Sequence, residues 1–370
     1  MNRLTDNVLQ VRDLIARGLL RSATDPSTLP APDGGPVGWK RVAGMLVGLA
    51  VGDSLGNTSE SQVPQQRRAT HGEIRDYLPN WHAEGRLVGL PSDDTQLAFW
   101  TLEQLIEDGA LVPERLAKRF SSGSIFGMGQ TVRAFVDAVR GGADWLAAKQ
   151  ESAGNGALMR IAPVLLPHLQ GPSSAQWSDA LLAGAVTHDD FASNASCVAY
   201  TRLLWDALHV MPPVPPGFWL NRFVSVARPI EGKKPRYEPR APHRAGARTT
   251  LTDFVSAEVP KALRQGRSVL DACNDWYSGA FLLETVPSII FILERHGNDP
   301  EEAIVRAVND TSDNDTIAAI VGAAVGALHG LDALPARWRE GLLGRTGAAD
   351  DGRIFELMQL AERKWAACVG

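Results

Sequence analysis

Glycine recurs every fourth residue in two apolar segments of this chain. Between residues 40 and 56 it stands at Gly44, Gly48, Gly52 and Gly56. Between 316 and 330 it stands at Gly322, Gly326 and Gly330, with alanines between. A glycine inside a helix costs about 1 kcal/mol relative to alanine. Four-residue spacing puts these glycines on one helix face, where a second backbone can come close. Both segments therefore read as central, tightly packed core helices. The second is too short for a membrane span and has Asp313 and Asp315 at its start. Helical periodicity also marks 94–108, 113–120, 130–140, 156–167, 176–186, 190–210, 252–265, 268–274, 278–295, 299–308 and 351–366. No sustained apolar–polar alternation predicts a sheet, and no fixed period predicts a solenoid.

The rest of the composition narrows the class. The 370 residues carry 37 basic and 42 acidic side chains, a formal charge of −5. That balance argues against a nucleic-acid binder held by net charge. Cys197, Cys273 and Cys368 are far apart, which excludes a disulfide scaffold or a Cys-rich zinc site and fits a reducing compartment. The N-terminus shows no secretory apolar stretch, and no run approaches the roughly 20 apolar residues that span a bilayer. A cytoplasmic protein without membrane contact is expected.

Two regions stand apart. Residues 1–38 read as an extension. Thr5 is placed to cap a helix with the apolar stripe Val8, Val11, Leu14, Ile15 and Leu19, and a Pro/Gly-rich linker follows at 24–38. The stripe has two possible destinations, its own domain or a partner's cleft. Residues 212–248 form a basic, proline-rich insert, either a solvated excursion or a flap facing substrate or partner.

Each glycine helix lies against an acidic loop. Ser92-Asp93-Asp94-Thr95 precedes LAFWTL, and Asp313-Asn314-Asp315-Thr316 precedes IAAIVGAAVG. Either loop alone suits helix capping. Two of them on core helices also suit a cation, because carboxylates gathered inside a fold repel unless neutralised. Oxygen-only donors favour a hard ion, Mg²⁺, Mn²⁺ or Ca²⁺, over zinc. Two glycine loops, Gly127-Met128-Gly129 and Gly154-Asn155-Gly156, each precede a predicted helix, where backbone N–H groups can approach an anion such as a pyrophosphate. Thr187-His188-Asp189-Asp190 places a histidine beside carboxylates at another helix start.

In order, the pieces MLVGLAVGDSLGNTSE, SDDTQLAFW, FGMGQT, GNGALMRIAPV, AVTHDD and DNDTIAAIVGAAVGALHG resemble the ADP-ribosylglycohydrolase family. The resemblance spans most of residues 40–330. It implies an all-α, compact, orthogonal multi-helix single domain over 39–370, with two Mg²⁺ (or Mn²⁺) ions at the bottom of an ADP-ribose cleft. Ser92, Asp93, Asp94, Asp313, Asp315 and Thr316 resemble the metal ligands. Glu60 resembles a functional glutamate near them, so Asp93 and Glu60 are the expected proton-handling residues around an activated water. Gly127, Gly129, Gly154, Asn155, Gly156 and His188 resemble the groups that hold diphosphate and ribose. Asp53 is read mainly as holding its loop, and Met159 and Arg160 as packing.

The implied reaction cleaves an N- or O-glycosidic bond at the anomeric carbon of ADP-ribose, with ADP-ribosyl-arginine on a protein as the expected substrate and serine, a nucleobase or a free small molecule as open alternatives for the acceptor. Two alternatives remain at this point. One is an ADP-ribose binder without catalysis. The other is an immunity protein that neutralises an ADP-ribosyltransferase toxin by hydrolysis, or by blocking its active site with the N-terminal extension.

Overall fold

The structure is a computed structural model that describes residues 3–241, 246–348 and 351–366. Pro242 and Arg244 of the predicted insert, and Cys368, lie outside the described residues. The two glycine segments form helices Trp39–Gly56 and Asn314–His329, and they pack on each other. A Cβ built on Gly48 would press into the carbonyl oxygen of Gly322, and one on Gly322 into that of Gly48. Gly44 and Gly326 face each other the same way, Gly52 meets the Ala318 carbonyl, and Gly56 meets the backbone of Asp315. All these approaches are under 3.0 Å, so only hydrogen fits between the backbones.

The pairing order, 44 with 326 through 56 with 315, makes the helices antiparallel. The C-terminal end of the first therefore meets the N-terminal end of the second, and the acidic residues at those ends are carried together. Residues 42–56 and 314–328 of this pair are buried throughout, and helices Asp93–Asp108, Phe191–His209, Leu282–His296 and Pro300–Asp310 pack around it. The architecture is all-α. Strand pairing among the described residues is one short antiparallel ladder, Pro79–Asn80 with Arg86–Leu87, plus isolated bridges. No helix of the described residues is long and apolar enough to cross a membrane.

Three expectations need correction. The segment 156–167 is not an α-helix but two 3-10 turns, Leu158–Arg160 and Ala162–His168. Pro163 and Pro167 remove the N–H donors that a continuous α-helix requires. The insert is not simply a solvated excursion: within it Phe218–Glu231 is a helix lying against Phe191–His209, with Phe218, Trp219, Phe223 and Ile230 buried. Flanking prolines and Pro229 in its last turn mask its periodicity. Glu294 caps it, accepting from the N–H groups of Gly217, Trp219 and Leu220 at 2.7–2.9 Å. Third, the first helix begins at Arg3, so Thr5 lies inside it rather than at its cap.

That first helix, Arg3–Ala16, buries Val11 and Leu14 and partly buries Val8 and Ile15. It lies on helix Ala175–Ala185, where Asn7 Nδ2 donates to Asp179 Oδ1 (2.6 Å) and to the Leu111 carbonyl (3.0 Å). The linker is tied down too. Trp177 and Trp205 donate their indole N–H groups to the carbonyls of Pro30 and Asp33. Of the two destinations for the stripe, the chain's own domain is the one observed.

Candidate active site

The antiparallel glycine pair sets the floor of a cleft with a cavity of about 190 Å³. Asp93 and Asp94 open helix Asp93–Asp108, and Asp313 and Asp315 stand at the start of Asn314–His329. Neither Ser92 nor Asp313 makes a side-chain cap bond to its helix, so capping does not account for these loops.

Asp53, Asp94 and Asp315 each present a carboxylate oxygen, all three within 4.8 Å of one another. Glu60, Asp313 and Asp315 form a second such set. Asp315 belongs to both. Asp94 is 1 % exposed, and its Oδ1 has no hydrogen-bond partner among the described residues. An orphaned, buried carboxylate oxygen on a residue of a carboxylate cluster suits a cation site. Burial, with Asp315, Asp53 and other carboxylates close by, pushes the Asp94 carboxyl well above the usual range. Burial does the same to Asp315, helped by Asp313 and Glu60. Asp93 is raised by burial and by Asp53. Glu60 is raised by partial burial and by Asp313 and Asp53, and its side chain is open to the cleft. Asp313 is raised by burial against the hydrogen bond it accepts from Asn155 Nδ2, 2.6 Å.

Asp53 does more than hold its loop. It accepts from Ser92 N and Oγ, Thr95 N and Oγ1, and Asn57 Nδ2 at 2.5–3.2 Å, and it also joins the first carboxylate set. Ser92 is turned toward Asp53 and does not line the cavity. Thr316 lines it, with Oγ1 3.5 Å from Asp94 Oδ2.

The two glycine loops form the walls. Gln96 holds the first, accepting from Phe126 N and donating to the Ser124 carbonyl. Gly127 has φ +60°, and a Cβ there would lie 3.0 Å from Asp93 Oδ1. The second loop is pinned by Asn155, whose N–H donates to the Ala280 carbonyl and whose Nδ2 donates to Asp313 and Thr285 Oγ1. Gly129, Gly154, Gly156 and His188 line the same cavity. His188 is buried, and burial together with the charge of Arg160 pushes its pKa down to about 3. A larger cleft, about 660 Å³, lies between the linker and helices Phe191–His209 and Phe218–Glu231. Its Arg202 and Arg222 are both engaged by Asp206, and it gathers no comparable chemistry.

The sequence model of the ADP-ribosylglycohydrolase family matches residues 38–368. The chain belongs to this family. As an ADP-ribosylglycohydrolase it is an ADP-ribosyl hydrolase, and the family is metal-dependent. The matched region begins where the N-terminal linker ends. Among similar proteins, ADP-ribosylarginine hydrolase Tri1 of Pseudomonas putida is 23% identical over 317 residues, 81% of this chain and 73% of that one. The ADP-ribosyl-[dinitrogen reductase] glycohydrolase of Rhodospirillum rubrum is 23% identical over 320 residues, 82% of this chain and 90% of that one. A solved structure of an ADP-ribosylglycohydrolase-related protein complex shares the fold, with TM-score 0.60 and 24% identity over 88% of this chain and 97% of that chain.

Three features of the cleft differ from what the sequence predicts. Arg67 is fully buried behind the acidic floor and donates to the carbonyls of Thr311 (2.8 Å) and Gln62 (2.7 Å). Burial lowers its pKa to about 10, which leaves it charged at neutral pH near Asp315 and Asp310. Asp53, expected mainly to hold its loop, also stands in a carboxylate set with Asp94 and Asp315. Thr187 and Arg160 stand directly behind His188. For Arg67 the sequence carries no signal, since it stands in the polar run QQRRAT.

Proposed function

We propose that this glycohydrolase releases ADP-ribose from arginine side chains of modified proteins, with two hard divalent cations, Mg²⁺ or Mn²⁺, held by the two carboxylate sets. The observation that carries this reading is the pair of overlapping sets sharing Asp315, the first of which includes Asp94 with its orphaned oxygen. Asp53, Asp94 and Asp315 suit one ion, and Glu60, Asp313 and Asp315 the other. Thr316 adds a neutral oxygen, and Ser92 acts by orienting Asp53. When bound, such ions orient ribose hydroxyls and make water a better nucleophile.

The chain's own groups do the rest. Glu60, open to the cleft and with a raised carboxyl, is suited to take a proton from water. Asp93, raised and facing Gly127, is suited to exchange a proton with the leaving group. The N–H groups around Gly127, Gly129, Gly154, Asn155 and Gly156 suit the diphosphate and ribose. Arginine as acceptor is supported by the names of similar hydrolases, including Tri1 of Pseudomonas putida. The toxin-blocking alternative asks for a free N-terminal segment, whereas the apolar stripe of this one is already buried on its own domain.

The test offers arginine-linked, serine-linked and nucleic-acid-linked ADP-ribose to the protein, after chelation and after adding back Mg²⁺ or Mn²⁺. Release from arginine alone, restored by metal and lost in Asp315→Ala, is expected. Release only from another acceptor overturns the substrate. Full activity in chelator, or in folded Asp315→Ala, overturns the metal assignment.

A further inference from the structure

Behind the cleft histidine runs a short hydrogen-bond relay. Arg160 is completely buried and donates from Nη2 to the Ala183 carbonyl (3.0 Å) and to Thr187 Oγ1 (2.8 Å). Thr187 Oγ1 in turn lies 2.8 Å from His188 Nδ1. The threonine oxygen accepts from the guanidinium. Among the hydrogen bonds of the described residues, Nδ1 is the one acceptor available to its proton. A neutral imidazole carries one N–H, so an accepting Nδ1 leaves that proton on Nε2. The ring is neutral because burial and the neighbouring guanidinium both disfavour imidazolium.

The Nε2 edge faces the second glycine loop. A Cβ on Gly156 would lie 3.1 Å from Nε2, and one on Gly154 3.5 Å from it. Glycine at both positions keeps this edge uncovered toward the cavity that all three residues line. Among the described residues Arg160 has no carboxylate partner. Among the described residues its Nε and Nη1 have no hydrogen-bond partner, and its Cζ sits 4.7 Å from the ring centre of Phe120. Burying a guanidinium this way is costly, and packing alone would be better served by an apolar side chain.

We infer that Arg160 and Thr187 are positioning residues that lock His188 in its Nε2–H tautomer, so that it offers one neutral N–H donor to an anionic or hydroxyl oxygen of the bound ligand. This rests on the ADP-ribose reading for the ligand, while the tautomer itself does not. A neutral donor can share the cleft with cations, whereas an imidazolium would repel them.

The experiment uses the full chain labelled with ¹⁵N in its histidines. Long-range ¹H–¹⁵N spectra are recorded for wild type, Thr187→Val and Thr187→Ser, with His188→Gln to assign the signals. In wild type and Thr187→Ser the expected pattern is a proton-bearing Nε2 and a bare Nδ1. Thr187→Val is expected to lose that single-tautomer pattern. Its affinity for free ADP-ribose should fall on the order of tenfold, while the thermal shift produced by Mg²⁺ stays as in wild type and Thr187→Ser keeps most of the affinity. A proton on Nδ1 in the wild type overturns the inference, and that spectrum decides even where Thr187→Val fails to fold. A folded Thr187→Val with wild-type spectrum and affinity overturns it as well. Absence of ADP-ribose binding by the wild type would instead overturn the ligand reading, with the tautomer still decided by the spectrum.

Discussion

Asp94→Asn should make the metal-free protein more stable and abolish its stabilisation by Mg²⁺. The carboxylate oxygens of Asp53, Asp94 and Asp315 lie within 4.8 Å of one another. At that separation two unit charges repel by about 3.5 kcal/mol for an effective dielectric of about 20. The alternative is to keep Asp94 protonated. Holding an ordinary aspartate neutral at pH 7 costs about 4 kcal/mol, from a reference value near 3.9 and about 1.36 kcal/mol per pH unit. The two costs are similar, so the metal-free wild type carries one or the other. Asparagine removes both and keeps an oxygen for Thr316 Oγ1. A gain of about 3 kcal/mol corresponds to roughly 5 °C in Tm for a chain of this size.

The pH dependence follows from the direction of the shifts. Asp94 and Asp315 are raised in the folded protein, so the folded state holds protons that the unfolded chain has already released. Their contribution to stability is full below the unfolded value near 3.9 and is lost as pH climbs toward the folded values. Metal-free wild type should therefore lose Tm with rising pH, and Asp94→Asn should lose less. Metal acts in the opposite sense, displacing protons and adding about 2.7 kcal/mol at a hundredfold excess over Kd. Thermal unfolding of chelator-stripped protein at pH 6, 7 and 8, with and without Mg²⁺, measures all of this. A metal-free Asp94→Asn less stable than wild type, or one with an undiminished Mg²⁺ shift, refutes the reasoning.

Gly156→Val should weaken ADP-ribose binding about tenfold and leave the Mg²⁺ thermal shift intact, because its Cβ would stand 2.9 Å from His188 Cε1 and displace the ring. Isothermal titration with ADP-ribose checks it. Gly48→Ala should cost at least about 3 kcal/mol and abolish activity, since the new methyl meets the Gly322 carbonyl and the paired helices must separate. A denaturant midpoint near wild type would contradict that packing. Deleting residues 1–22 should lower Tm by several degrees, because Val11, Leu14 and Leu20 leave the core, each contributing about 2 kcal/mol. It also removes the Arg21 N–H from Asp189 Oδ1 (2.9 Å), beside His188, so ADP-ribose affinity measured by the same titration should drop as well.

Local order carried much of this protein into view from the sequence. Glycine at four-residue spacing, apolar periodicity and the Asp-rich helix starts are properties of short stretches. They mark the two core helices, and together with the family resemblance they point to thirteen site residues, of which twelve line the cavity: Glu60, Asp93, Asp94, Gly127, Gly129, Gly154, Asn155, Gly156, His188, Asp313, Asp315 and Thr316. Only the tertiary structure decided which helix each glycine face meets. That contact pairs residue 48 with 322 and 56 with 315, and sequence spacing has no term for it. The same long-range geometry turned Ser92 from the cavity to Asp53, brought Asp53 into the carboxylate set, buried Arg67 behind it, and placed Arg160 and Thr187 in line with His188. It also settled the N-terminal stripe. An amphipathic helix specifies that one face will be buried, but its burial partner depends on which apolar surface the rest of the chain leaves uncovered, here helix Ala175–Ala185.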